Sequence, residues 1–329
     1  GKTRWSYDAK VNRDAGFGDF ATRGLSTWAS ASGHRRIYIA TVDARLIALD
    51  AATGKACPDF GDNGQIDLRN GLRIPVRDYS SYEETSAPAV IGNTIVIGSG
   101  VADNGSVNQP SGEVRAYDVQ TGKLKWNWDP IPQTPGAPGF DTWKNGSAAK
   151  TGAGNAWSTI VADPERKLVF IPTGSASPDY YGGERKGANL FANSVVAIHA
   201  ETGEMAWFFQ TVHHDLWDYD VASPPLLFDM RRNGEAIPTV AVGSKTGNFF
   251  ILNRETGKPV FGVEERRVPQ SNVPGEESSP TQPFPLLPKP LVPQGPITPD
   301  QAWGIDDKDR AWCRAEMAKL QSDGIFTPP

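Results

Sequence analysis

One ten-residue stretch of the sequence, TVHHDLWDYD, concentrates side chains that can take part in chemistry. Its reactive members are His213, His214, Asp215, Asp218 and Asp220. Adjacent residues of an extended chain point to opposite faces, so the two histidines are not expected to bind one ion together. Asp218 and Asp220 would share a face, where their mutual repulsion favours a nearby cation or an added proton. These residues alone leave a metal site, an acid–base site and a purely structural role open.

The composition is that of a globular protein and argues against several classes. The chain has 329 residues, of which 38% are hydrophobic and 22% are charged. No apolar run approaches the roughly 18 residues of a membrane helix, and the first residues lack the apolar core of a secretory signal. A net charge of −5 gives no reason to expect a nucleic acid as partner. With 34 Gly, 27 Pro and 10 Trp, the sequence favours many short strands joined by turns.

A repeat runs through the chain and predicts the elements that position these side chains. Its four copies are LIALDAATGK (46–55), VRAYDVQTGK (114–123), VVAIHAETGE (195–204) and FFILNRETGK (249–258). Each copy is an apolar strand followed by a tight turn, in which the glycine supplies backbone angles that other residues resist. A partner strand precedes each copy, namely RIYIATV (36–42), TIVIGSG (94–100), KLVFIPTG (167–174) and TVAVGSK (239–245). We therefore predict one repeated antiparallel sheet.

Tryptophans recur at a fixed distance from the repeated turn. Trp126 and Trp207 follow the threonine of the second and third copies by five residues, and the glycine by four. Trp5 likewise follows the opening glycine by four residues. The first and fourth copies have Pro58 and Phe261 there instead. A tryptophan that wedges one sheet against the next is typical of the radially arranged sheets of a β-propeller. The prediction is thus an all-β propeller, with residues 1–329 forming a single domain.

Residues 268–301 interrupt the repeat with ten prolines. Proline cannot donate a backbone hydrogen bond, so this segment is expected to be an extended excursion and not a set of central strands.

A helix is predicted near the end of the chain, at about 306–321. Asp306 or Asp307 would cap its start, and Gly324 would stop the chain from continuing as a helix. The residues along its apolar face are Cys313, Met317 and Leu320. We expect this face to be packing surface.

The repeats together with TVHHDLWDYD resemble the dehydrogenases that depend on pyrroloquinoline quinone (PQQ), in particular the branch of membrane glucose and quinate dehydrogenases. The similarity covers essentially the whole chain. It implies an eight-bladed propeller that holds PQQ and a Ca²⁺ or Mg²⁺ ion near its central axis. It also implies oxidation of an alcohol or sugar hydroxyl in the bacterial periplasm, with or without membrane association, and electron transfer to ubiquinone or a cytochrome c.

The resemblance assigns two residues to the reaction. Asp218 matches the family's base, which takes the hydroxyl proton while a hydride passes to the quinone. A carboxylate can serve as base at neutral pH if it stays ionised and within reach of the substrate. Lys245 matches the cationic partner of the quinone oxygens, where a positive donor stabilises the charge gained on reduction.

Three further residues match cofactor contacts of the family. Trp157 corresponds to the tryptophan under the flat quinone, and a large planar side chain suits that place. Arg23 corresponds to an arginine that pairs with cofactor carboxylates, a task that suits its fork of donors. Thr85 corresponds to a hydroxyl contact with the cofactor.

The metal ligands are matched less closely. Asp103 stands where the family places a metal carboxylate, and an oxygen ligand suits a hard cation. Ser175 stands where the methanol-oxidising branch has a metal-binding asparagine. That branch also has a pair of adjacent cysteines, which this sequence lacks. Asp220 matches an aspartate shared by lanthanide-using relatives and glucose-type enzymes, so the sequence does not identify the ion.

Two cysteines, Cys57 and Cys313, lie in segments that resemble the glucose-type branch. Because the periplasm permits disulfides, we expect these two thiols to be bonded to each other.

The length of the chain and one rival class complete the interpretation. Four repeats do not close eight blades, so the remaining blades are expected on a downstream segment or a second chain. The alternative function is a non-catalytic propeller scaffold related to outer-membrane assembly proteins. Such a scaffold would have no need of Asp103, Trp157, Asp218 and Lys245 together.

Overall fold

The computed structural model describes residues 1–18 and 22–329, in which four antiparallel sheets follow one another along the chain. We call them the first to fourth blades. Their strands are Ser26–Ala29, Arg35–Thr41, Arg45–Asp50 and Gln65–Asp67; Ala89–Ile91, Thr94–Ile97, Val114–Asp118 and Leu124–Trp128; Val161–Asp163, Leu168–Pro172, Ser194–His199 and Met205–Gln210; and Leu226–Arg232, Glu235–Gly243 and Phe249–Asn253. Within each blade, strands that follow one another along the chain are neighbours in the sheet, so each blade is a simple meander.

The remaining elements are short and lie outside these four sheets. Two ribbons pair Tyr82–Glu83 with Gly100–Val101 and Val263–Arg267 with Thr281–Pro285. The 3-10 turns are Tyr79–Ser81, Phe140–Thr142, Lys144–Ala149 and Pro299–Gln301, and the α-helix is Asp307–Met317. None of the helices in the described part of the chain is long and apolar enough to cross a membrane.

The repeat and its partner runs form the third and second strands of every blade, as predicted. In the third blade, for example, Phe170 pairs with Ala197, and in the fourth Ala241 pairs with Ile251. All five residues of Leu168–Pro172 are buried. A strand covered on both faces reads as a continuous apolar run, which explains why these segments were recognisable in the sequence.

The three largest apolar cores in the described part of the chain lie between successive blades. Tyr38 and Leu46 of the first blade share a core with Ile95 of the second. Val169 of the third blade belongs to the next core, together with Val96 of the second. Because fully burying such a side chain contributes about 1.5–3 kcal/mol, each blade depends on its neighbour for stability.

Tryptophans dock successive blades onto one another through the repeated turn. The indole N–H of Trp126 donates to the carbonyl oxygen of Ala200 at 2.8 Å. Its ring lies so close to Gly203 that a Cβ there would stand 2.8 Å from it, and that glycine has a φ of +78°. Trp5 makes the same two contacts, a hydrogen bond to the carbonyl oxygen of Ala51 and a ring over Gly54. Trp207 does so with the carbonyl oxygen of Arg254 and with Gly257. The glycine is needed both for the turn and for the ring that covers it.

Two residues replace the missing tryptophan between the first and second blades, where the sequence has Pro58. The hydroxyl of Tyr38 donates to the carbonyl oxygen of Val119 at 2.6 Å, which is the bond that an indole makes elsewhere. The ring of Phe60 covers Gly122, where a Cβ would lie 3.3 Å from it. The donor and the aromatic cover thus come from different side chains.

The proline-rich excursion contains one strand in the described structure. This strand, Thr281–Pro285, forms a ribbon with Val263–Arg267 and is not part of the four described blades, in agreement with the prediction that the excursion would supply no central strand.

The predicted helix is real but shorter than the predicted 306–321. Asp306 caps it by accepting from the Asp309 amide at 2.8 Å, and the helix ends at Met317. None of its residues is fully buried, and Leu320 beyond it is 73% exposed. The expectation of a packed apolar face is therefore wrong for Leu320, whereas Cys313 and Met317 of that face are half-buried.

The predicted disulfide between Cys57 and Cys313 is wrong, because both residues are free thiols. Cys57 is buried in the core between the first and second blades. Cys313 lies on the helix, which packs against Pro299–Gln301. The two side chains thus belong to different packing environments.

We predict that Tyr38→Phe destabilises the protein, because it leaves the buried carbonyl of Val119 without a donor. Such an orphaned acceptor costs about 1–3 kcal/mol in the free energy of unfolding. Denaturant-induced unfolding measures the loss. The matched control is Tyr79→Phe, at a tyrosine that is 43% exposed. Equal stabilities of the two variants would contradict the role given to Tyr38.

Candidate active site

The predicted site residues lie in the connections at one end of the blades. In each blade the first two strands are antiparallel, so the start of the first and the end of the second lie at the same end. Arg23, Thr85, Trp157 and Asp218 precede the first strands of the four blades, whereas Asp103 and Lys245 follow the second strands of the second and fourth blades. The topology thus gathers residues that are far apart in the sequence.

These six residues line one cavity of about 400 Å³. Its other lining residues are Gly18, Glu83, Gly100, Val101, Asn104 and Asp220. A larger cavity of about 640 Å³ lies between the outer strands of the first and second blades, but none of the predicted residues lines it. The chemistry anticipated from the sequence therefore converges on the smaller and more highly charged cavity.

Trp157 forms a fixed wall of this cavity. Its indole N–H donates to Asp220 at 2.9 Å, and its carbonyl oxygen accepts from the Thr85 hydroxyl at 3.0 Å. The guanidinium carbon of Arg23 lies 5.1 Å from the ring centroid, and the Lys245 ammonium lies 5.7 Å from it. Cations at these distances are attracted to an aromatic ring. The wall thus combines a flat apolar surface with positive charge.

The ammonium group of Lys245 binds two carboxylates. Its Nζ atom lies 2.7 Å from Asp218 Oδ2 and 2.8 Å from Asp220 Oδ2. Burial and the charge of Asp220 raise the pKa of Asp218 to about 7, against the opposing effect of Lys245. Burial alone would lower the pKa of Lys245, but Asp220 and Asp218 raise it, so the ammonium stays charged. A carboxyl group with a pKa near neutrality can exchange a proton with a substrate.

The backbone at Asp218 is held in an uncommon conformation. Its φ is +59°, in the left-handed region that few non-glycine residues adopt. Asp215, which is fully buried, accepts from the amides on either side, at 3.2 Å from Trp217 and 2.8 Å from Tyr219. Such conformations persist only where the surroundings enforce them, and they concentrate at functional sites. Sequence reasoning did not predict this role for Asp215.

Ser175 does not line the cavity. It is fully buried, and its hydroxyl donates to Asp215 and, at 3.1 Å, to Asp220. Its amide also donates to Asp220 at 2.7 Å. The structure therefore places Ser175 behind Asp220, where it orients that carboxylate, and gives its predicted part as a metal ligand no support.

The donors around Asp103 suit a hard cation in their chemistry. Burial, followed by the charges of Asp220, Asp179 and Asp218, raises the pKa of Asp103 well above its usual range. The Oδ1 atom of Asp179 is buried without a hydrogen-bond partner. Across residues 1–18 and 22–329, however, no three His, Cys, Asp or Glu side chains stand close enough to hold an ion together. An ion bound here would take only part of its oxygen ligands from these side chains.

Two polar residues of the cavity, Glu83 and Asn104, were not predicted from the sequence. Glu83 lies two positions before Thr85 in an extended segment, so alternation along the chain was a signal that both face the same side. Asn104 adjoins Asp103, and its amide donates to Asp179 at 2.6 Å. No local signal distinguished Asn104 from other loop asparagines.

The two histidines of the motif point to different partners, as expected. His213 Nδ1 lies 2.7 Å from the Gln210 side-chain oxygen. His214 is buried, with Nε2 3.0 Å from Glu276. Neither histidine lines the cavity, so the contacts that both make with Gln210 and Glu276 are structural.

Comparison with known proteins gives consistent matches. The family model described as "Glucose/ethanol/alcohol dehydrogenase, beta-propeller domain" (PQQ) matches residues 1–329. Quinoprotein glucose dehydrogenase A of Acinetobacter calcoaceticus is 39% identical, over 100% of this chain and 43% of that protein. The quinate/shikimate dehydrogenase (quinone) of Acinetobacter baylyi is 40% identical, over 90% of this chain and 36% of that protein.

Solved structures agree with these matches. Quinohemoprotein alcohol dehydrogenase from Comamonas testosteroni has a TM-score of 0.68 and 29% identity, over 87% of this chain and 41% of that one. A europium-containing methanol dehydrogenase, with a TM-score of 0.64 and 23% identity over 86% of this chain and 48% of that one, shares the fold. The chain spans less than half the length of these relatives, which agrees with the predicted incomplete propeller. The chain belongs to the PQQ-dependent dehydrogenase family and forms part of its β-propeller.

Proposed function

We propose that the protein carrying this chain is a dehydrogenase that oxidises a hydroxyl group of an alcohol, sugar or polyol with PQQ. The observation that carries the proposal is the Asp218–Lys245 pair, which faces a cavity walled by Trp157. A general base with a pKa of about 7, beside a permanent positive charge, is what removal of a hydroxyl proton requires. Relatives named glucose, quinate/shikimate and glycerol dehydrogenases support this substrate class.

Three residues of the cavity would hold the cofactor. Trp157 offers a flat surface for a planar ring system, while Arg23 beside it offers a guanidinium group for carboxylates. Thr85 lies between them, and its carbonyl oxygen accepts from the Arg23 side chain at 3.0 Å. When bound, PQQ supplies the quinone that accepts the hydride of the substrate.

In that hydride transfer, Asp218 would act on the substrate and Lys245 on the cofactor. Asp218 takes the hydroxyl proton, which it can do only while ionised. The ammonium of Lys245 has three N–H donors, of which Asp218 and Asp220 engage two. The third is available to an oxygen atom of the cofactor, where a fixed positive donor stabilises negative charge as it develops.

A hard cation would complete the electrostatics of the cavity. Asp103 and its neighbouring carboxylates supply oxygen donors, which Ca²⁺, Mg²⁺ and lanthanide ions all prefer. A cation there would lower the pKa of Asp218, because it favours the charged form of a nearby carboxyl group. The base would then be ionised over a wider pH range.

The whole protein would contain more than this chain. We infer that further blades, on the same polypeptide or on a second chain, complete the propeller, because the chain covers only 43% and 36% of two close relatives. We also propose a periplasmic location and electron transfer to ubiquinone or a cytochrome c, in keeping with the family resemblance. A non-catalytic scaffold would leave the convergence of six predicted residues on one cavity without a purpose.

Asp218→Asn is expected to abolish turnover while PQQ is still retained, because it removes the base and keeps the shape of the side chain. The measurement is dye reduction by the full-length protein with a panel of alcohols and sugars, together with the absorbance of bound PQQ. Asp141→Asn, at an exposed aspartate, is the control. Unchanged dye reduction by the Asp218 variant would eliminate this residue as the base.

Titration of Asp218 is expected near pH 7 in the metal-free protein, because its pKa is raised by burial and by Asp220. Infrared difference spectra should show a protonated carboxyl band that is lost as the pH rises through about 7 and that Asp218→Asn lacks. Added Ca²⁺ should move this loss to lower pH, since a cation favours the ionised form. A transition that Ca²⁺ leaves in place would contradict a metal site beside Asp218.

Lys245→Ala is expected to lower kcat by roughly 10²- to 10³-fold, the usual effect of removing one donor to a developing charge. KM should change little, because the interaction strengthens only as the quinone is reduced. Steady-state kinetics of the full-length protein measure both constants, with Lys258→Ala at an exposed lysine as the control. An effect confined to KM would show that Lys245 binds substrate instead.

A further inference from the structure

Two segments that lie outside the four blades meet beside Asp218 and Lys245. One is residues 291–294 of the proline-rich excursion, and the other is residues 325–327 near the end of the chain. The amide of Ile325 donates to the carbonyl oxygen of Gln294 at 3.2 Å and joins them. We call the joined pair of segments the bracket.

The first arm of the bracket holds the turn that follows the active-site lysine. The side-chain amide of Gln294 donates to the carbonyl oxygen of Thr246 at 3.1 Å and to Asn248 Oδ1 at 2.7 Å. The amide of Leu291 donates to the carbonyl oxygen of Gly247 at 2.9 Å. Three consecutive residues after the lysine are thus bonded to one arm.

The second arm holds the two residues on either side of Asp218. The hydroxyl of Tyr219 donates to the carbonyl oxygen of Ile325 at 2.6 Å. The indole N–H of Trp217 donates to the carbonyl oxygen of Thr327, also at 2.6 Å. Both side chains are therefore fastened to the same three-residue segment.

Phe326 wedges the second arm in place. It is only 2% exposed, and its ring meets those of Trp217, Tyr219 and Phe284 edge-on at centroid distances of 5.2, 5.8 and 5.5 Å. Trp217 and Tyr219 in turn stack on each other at 5.6 Å. This is a favourable geometry for aromatic rings, and it leaves the peptide between Trp217 and Tyr219 little freedom.

The bracket is important because the ion pair between Lys245 and Asp218 does little to hold together the two loops that carry these residues. The side chains of Lys245 and Asp218 are 35% and 22% exposed, and a partly exposed ion pair contributes little to holding two segments together. Asp218 also has the left-handed φ of +59°, which its surroundings must enforce. The distance between base and lysine therefore depends on the contacts that hold each loop. These are the hydrogen bond from the Lys245 amide to the Asp220 carbonyl oxygen at 3.0 Å, the bonds of Asp215 to the amides of Trp217 and Tyr219, and the bracket.

We propose that the bracket is a positioning device for the reaction, with Gln294 and Phe326 as its positioning residues. They keep the Lys245 ammonium 2.7 Å from Asp218 Oδ2 and so set the direction in which the base points. The inference rests on the proposed function, since the spacing has a catalytic consequence only if these two groups act on a substrate. Neither residue needs to touch substrate or cofactor.

Hydrogen–deuterium exchange tests the coupling without turnover. Gln294→Met keeps the size of the side chain and removes its donors, and Phe326→Leu loosens the opposite arm. In the full-length protein each variant should speed exchange at the amides of both Lys245 and Tyr219. Gln301→Ala, which alters only the Pro299–Gln301 turn of the same excursion, should change neither. Faster exchange confined to the altered arm in both variants would overturn the proposal.

Kinetics of the full-length protein separate positioning from general stability, because a misplaced base changes kcat whereas lost stability changes the midpoint of denaturant-induced unfolding. In Gln294→Met the value of kcat should fall by roughly ten- to a hundredfold, as expected for a small misplacement, with little change in KM.

The same substitution in a Lys245→Ala background should lower kcat no further, since the two residues act through one interaction. An unchanged kcat in a folded Gln294→Met variant, or an equal loss of kcat in the absence of Lys245, would overturn the proposal. If the wild-type protein proves inactive, the exchange results still decide this inference, whereas the proposed function alone fails.

Discussion

The ammonium group of Lys245, shared by Asp218 and Asp220, is the interaction on which the rest of the site depends. Without a cation the two carboxylates would repel each other, and one would take up a proton. Asp220 extends the contact to the indole of Trp157, and the backbone of Trp157 extends it to Thr85. One chain of hydrogen bonds therefore links residues that precede the fourth, third and second blades.

Because of this arrangement, the distances between the site residues depend on the spacing of the blades. The site residues come from different blades, while the cores and the tryptophan–glycine contacts lie between blades. At the junction of the first and second blades, Tyr38 supplies the hydrogen-bond donor and Phe60 the aromatic ring that a tryptophan supplies elsewhere. Any change that alters how two blades pack also alters the distances across the cavity. The sheets supply the frame, and the connections at one end supply the function.

Much of this could be predicted from the sequence, for a physical reason. Strands and turns are local patterns, so the repeat gave the second and third strands of all four blades. The role of Ser175 depends on contacts with Asp215 and Asp220, which are 40 and 45 residues away, and no local pattern encodes such contacts. Asp215 bonds to amides two and four residues further on, but the motif does not distinguish this role from those of its other carboxylates. The same limit explains the wrong disulfide, because Cys57 belongs to a core whereas Cys313 lies on a helix docked elsewhere. The gathering of six residues at one cavity followed from the family resemblance and not from their spacing.

We propose that this cavity receives PQQ between Trp157 and the Asp218–Lys245 pair. A crystal structure of the full-length protein with PQQ and Ca²⁺ tests this proposal directly. We expect the quinone ring against Trp157, a quinone oxygen within hydrogen-bonding distance of Lys245 Nζ, and Arg23 near a cofactor carboxylate. PQQ bound at another place, or a cavity filled by side chains of the remaining blades, would contradict it.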